Sequence, residues 1–148
     1  MTIRRAFLIG LATGCRSQAG LAAISLTPAG PGRIDRLLHR IGGRTGTVLQ
    51  VVGESVADKL PVTPPRTAPP ALYVRLGLGA LTAAVLASRC GESLAPAALV
   101  GLLGCAASTY AGVPARGALA ARFGSDLPGA LSEDALALGL AFVAVRLP

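Results

Sequence analysis

The chain has 148 residues, 52% of them apolar and only 14% charged, with a mean hydropathy of +0.61. Its length suits about one domain, and its composition excludes disorder and argues against an ordinary water-soluble fold, in which about a quarter of residues are charged. The net charge of +7 forms no single patch, and with 3% aromatics there is little to stack on bases, so the excess is assigned to one face of a membrane protein and not to nucleic acid.

A spanning helix needs about 20 mostly apolar residues. The first stretch, Ala6 to Thr27, is long enough but carries Arg16 near its middle. Arg4-Arg5 ahead of Phe7-Leu8 is similar to a twin-arginine export signal, and Leu11-Ala-Thr-Gly-Cys15 to a lipoprotein cleavage box. An exported lipoprotein is therefore one alternative. Against it, the apolar run is short, Arg16 follows at once, and later segments have membrane length. Arg4 and Arg5 then read as cytoplasmic anchors of a first membrane segment.

An arginine at the centre of a membrane helix costs ~2.5–3.5 kcal/mol on insertion scales, so Arg16 should face a partner or water. Gly10 and Gly14 form a G-x-x-x-G step that permits close helix approach, and with Ser108 and Gly112 they are expected to support a homodimer. Gly14-Cys-Arg-Ser-Gln18 is also a candidate helix break. Arg4 and Arg5 precede it, and Arg33, Arg36, Arg40 and Arg44 follow it. The positive-inside rule wants both groups on one side, which a re-entrant hairpin achieves and a single crossing does not.

After Pro28-Ala-Gly-Pro-Gly32, Ile34, Leu37, Leu38 and Ile41 follow i, i+3, i+4, i+7 spacing, with Arg33, Arg36 and Arg40 on the other side. This suits a short helix in the membrane surface, its arginines at lipid phosphates. Thr45 to Leu60 is a short segment containing Glu54, Asp58 and Lys59, with Glu54 and Asp58 on one helix face. Five prolines between Pro61 and Pro70 exclude helix and predict an extended linker between halves 1–60 and 71–148.

Tyr73 to Ser88 and the uncharged Ser93 to Ala115 are the best spanning candidates. Ala135 to Val145 reaches that length only with Glu133 and Asp134, which suit a helix start capped by Ser132. Gly10-Leu-Ala-Thr-Gly-Cys and Gly101-Leu-Leu-Gly-Cys form a weak internal repeat, a device of small transporters. The expected fold is an all-α integral membrane bundle of four or five segments, some short or re-entrant.

The functional expectation is a small transporter or channel whose polar centre holds Arg16, Glu54, Asp58 and Glu133, with Arg16 paired to Glu54 and in second place to Glu133. The alternative is a non-transporting scaffold or subunit in which the same charges only hold helices in register. Three cysteines without C-x-x-C spacing and a single histidine predict no metal site and no cofactor. No nucleophile–base constellation is recognisable, so no enzyme is expected.

Glu54-Ser-Val-Ala-Asp-Lys-Leu-Pro61 resembles the acidic-x-x-x-Asp-Lys-Ile-Pro signature of a bacterial membrane family named only as domain of unknown function 4126, with Leu60 in place of the usual Ile. Gly14-Cys-Arg16 is similar to that family's Gly-x-Arg element, and Glu133-Asp134 extends the likeness to the last helix. The resemblance implies a multi-pass protein of the bacterial inner membrane and no activity.

Overall fold

The computed structural model describes residues 3–37, 39–40, 67–69 and 71–147. Among them, every regular element is helical. The five principal helices are α1 (Ile3–Cys15), α2 (Ala19–Leu26), α3 (Ala71–Arg89), α4 (Leu94–Phe123) and α5 (Leu127–Arg146). Residues 33–37 and 39–40 add a short helical stretch. Glu54, Asp58, the Thr45–Leu60 segment and most of the proline linker lie outside the described residues.

α3, α4 and α5 are each long and apolar enough to cross a membrane. Leu99, Leu103 and Tyr110 on α4 and Leu131, Leu138 and Phe142 on α5 stand exposed. In water such a surface would be an aggregation hazard; against lipid it carries no penalty. Together with the all-helical architecture, these helices make the chain a membrane protein.

The stretch Ala6–Thr27 divides as the sequence predicts. α1 ends at Cys15 and α2 begins at Ala19, with a tight turn closed by the Ala19 N–H on the Arg16 carbonyl at 2.9 Å. Contacts with α3 give the direction of each arm. Arg5 meets Cys90, Thr13 meets Thr82, and Gly14 meets Arg75, so α1 is antiparallel to α3. Gly20 lies beside Thr82 and Thr27 beside Arg89, so α2 runs back along α3. The two arms form a re-entrant hairpin with both open ends at one end of the bundle. At 13 residues, α1 is only about 20 Å long.

The hairpin is the centre of the bundle. Ile9, Ala12, Thr13 and Ile24 are fully buried in it. α1 runs parallel to α4 at backbone contact, Gly10 facing Gly101 and Gly14 facing Cys105 and Ser108. The Ser108 hydroxyl donates to the Leu11 carbonyl at 2.8 Å across this seam. The two segments matched as an internal repeat thus pack on each other, in different forms: the first breaks at residues 16–18, while the second stays helical to Phe123. Gly10, Gly14 and Ser108, three of the residues expected to support a homodimer, make their close contacts within the chain, on the seam between α1 and α4.

Two expected boundaries are corrected. α4 runs on through Pro114 to Phe123, ending on Gly124 in the left-handed conformation at φ 65°. α5 begins at Leu127, with Pro128 in its first turn, and not at Glu133. Ser132 is therefore no N-cap: its hydroxyl donates to the Gly129 carbonyl at 2.9 Å within the helix. Glu133 and Asp134 lie beyond the first turn, where the helix dipole does not explain them.

Candidate functional site

The hairpin tip lies midway along α4, level with Thr109. Ending α1 there leaves carbonyls without a helical partner, and in a membrane these need a donor from the protein. The Gly14 carbonyl accepts Arg75 Nη1 at 3.0 Å and the Thr109 hydroxyl at 3.4 Å. Arg75 is itself buried. Its place near the start of α3 lets the side chain reach across to the turn.

Arg16 forms a forked ion pair with Asp134 of α5. Nε lies 2.6 Å from Oδ1, and Nη2 lies 2.8 Å from Oδ2. Two parallel N–H···O bonds match the planar guanidinium to the planar carboxylate, the strongest form of this pair. The Arg16 side chain is 13% exposed and that of Asp134 37%. The pair therefore sits at the edge of the bundle interior with one side open.

Glu133 turns to a different partner. Arg116 of α4 places Nη1 3.5 Å from Glu133 Oε2, and grips Asp126 through Nε at 2.8 Å and through Nη2. Consecutive residues of α5 therefore bind the hairpin turn and α4. Beside them lies a groove of about 690 Å³ between the hairpin tip, α4 and α5. Leu11, Cys15, Gly112 and Leu140 line it together with the charged Arg116 and Glu133.

Of the expected polar centre, Arg16 and Glu133 occupy this layer, each in an ion pair, while Glu54 and Asp58 lie outside the described residues. The carboxylate on Arg16 is Asp134, not Glu133. The sequence reading missed Arg75, Arg116 and Asp134 as members. Arg75 and Arg116 carried a signal, since each is an arginine at an end of a spanning segment with no assigned partner. Asp134 was masked by the capping explanation. Among the described residues, no group of three or more His, Cys, Asp or Glu could hold a metal ion.

At the opposite end of the bundle, Arg5 is buried and caps α5. Its Nε donates to the Ala144 carbonyl at 3.0 Å and Nη2 to that of Val145 at 3.4 Å. A cation on the last carbonyls of a helix satisfies orphan acceptors and complements the dipole. Around this end stand Arg33, Arg36 and Arg40, all exposed.

No family model, curated protein or solved structure matches the chain.

Proposed function

We propose that the chain is a small transporter or channel in which a solute or ion passes the polar tip of the α1–α2 hairpin. The observation that carries the reading is a helix broken level with the middle of α4, with ionised groups at its turn, beside a groove. Irregular backbone and charge at that depth are expensive, and they recur where a membrane protein handles a substrate. Arg16 and Asp134 would form the gate or relay, with Glu133 and Arg116 at the groove. Glu54 and Asp58 belong to the proposal through their sequence positions only.

The forked Arg16–Asp134 bond favours a second reading, a non-transporting scaffold or subunit. A carboxylate already engaged by two guanidinium nitrogens suits a register pin. The exported-lipoprotein reading has the weakest support, because cleavage before Cys15 would remove the helix around which α3, α4 and α5 pack. The resemblance at Asp58-Lys59-Leu60-Pro61 supports the bacterial inner membrane as the location.

Proteoliposome flux with panels of monovalent ions and small organic solutes tests the choice. The transport reading expects flux above protein-free vesicles that falls at least tenfold in R16Q or D134N, with folding verified by size-exclusion profile. No flux for any solute, or flux unchanged in folded variants, rejects it in favour of the scaffold.

A further inference from the structure

The basic end of the bundle contains a second charged cluster, independent of the polar layer. Asp35 is fully buried and accepts Arg89 Nε at 2.8 Å and Nη2 at 2.9 Å. Arg89 also donates to Thr27 Oγ1 at 2.6 Å and to the Ile24 carbonyl at 2.7 Å, at the end of α2. One turn beyond Asp35, the His39 ring nitrogens lie 2.9 Å from the Asp35 and Thr27 carbonyl oxygens. The short helical stretch is thus fastened to the bundle by Asp35 and His39. The sequence expectation of a helix in the membrane surface gave Asp35 and His39 no such role.

The fastening fixes what the stretch presents. Residues on a helix advance by 3.6 per turn, so turning Asp35 and His39 inward turns Arg33, Arg36 and Arg40 outward. All three are exposed, and Ile34 and Leu37 beside them are 40% and 54% exposed. Arg4 and Arg146 are exposed at the same end. The acids described there are Asp35, held by Arg89, and Glu92.

We propose that this face binds the phosphate headgroups of anionic phospholipids. The exposed apolar pair selects lipid over an acidic soluble partner. Ile34 and Leu37 enter the acyl boundary while the guanidinium groups reach phosphate in the headgroup layer, an amphipathic division that only a bilayer surface supplies. The charge excess makes the choice anionic lipid over zwitterionic lipid. The proposal does not depend on whether the chain transports anything.

Native mass spectrometry of the full-length protein in detergent, titrated with phosphatidylglycerol or phosphatidylcholine, tests it. The expected result is tighter binding of phosphatidylglycerol, weakened about fivefold by each of R33Q, R36Q and R40Q and about a hundredfold by all three. R122Q, an exposed change near the far end of α4, should leave it intact. The single variants keep the test decisive if the triple variant does not fold. Equal affinity for the two lipids, undiminished phosphatidylglycerol binding in the three single variants, or an equal loss in R122Q would overturn the proposal.

Discussion

Gly10 and Gly101 meet without side chains between them: a Cβ on Gly10 would stand 2.2 Å from the Gly101 carbonyl oxygen. Neither backbone can yield without moving a whole helix, because α1 is also held by α3 and α5. G10A should therefore destabilise the detergent-solubilised protein by about 1–3 kcal/mol or more, the usual cost of overpacking. G77A and G139A meet nothing within 4 Å, and should be neutral or stabilising by up to about 1 kcal/mol through helix propensity. Thermal unfolding of the three variants checks the contrast.

The Arg16–Asp134 pair predicts a coupling energy. Removing one partner weakens the hold of α5 on the hairpin turn at a site open on one side, so R16Q and D134N should each cost about 1–3 kcal/mol. The double variant should cost less than the sum of the two. E133Q should cost less than D134N, since the Arg116 contact to Glu133 is the long one at 3.5 Å. Denaturation of the wild type, R16Q, D134N and the double variant in one detergent gives the cycle, with E133Q measured beside them.

Cys90 is exposed at the basic end, whereas Cys15 and Cys105 are buried. Under the positive-inside rule the basic end is expected on the cytoplasmic side. A membrane-impermeant maleimide should therefore label the native protein at Cys90 in inverted vesicles and leave it unlabelled in intact, right-side-out ones. Labelling in the reverse pattern would invert the orientation.

Asp35 has no exposed surface and accepts two nitrogens of Arg89. D35N should cost roughly 3 kcal/mol locally and release the 33–40 stretch. Amide hydrogen exchange there should accelerate severalfold while α4 and α5 stay protected. Equal acceleration across the whole bundle would place Asp35 in the global core.

The spanning helices were legible because length and hydropathy alone determine them. The hairpin was legible from charge, because Arg4 and Arg5 before the break and Arg33 to Arg40 after it needed one side. Partner choice was not legible. Asp134 and Glu133 are adjacent in sequence and differ only in which helix each faces, and that depends on where α5 starts. Pro128 carried that start, but Ser132 offered an equally local and incorrect cap. Asp35 was obscured in the same way, because a lone acid among arginines fits a solvated face as well as a buried lock.

The hairpin precedes α5 by about a hundred residues, yet two of its arginines have partners there: Arg5 on the Ala144 and Val145 carbonyls, and Arg16 on Asp134. Those bonds cannot form until α5 has been made. A nascent chain that stalls before α5 lacks both, and carries into the bilayer two cations without those acceptors. α5 therefore serves as a check on the seating of α1.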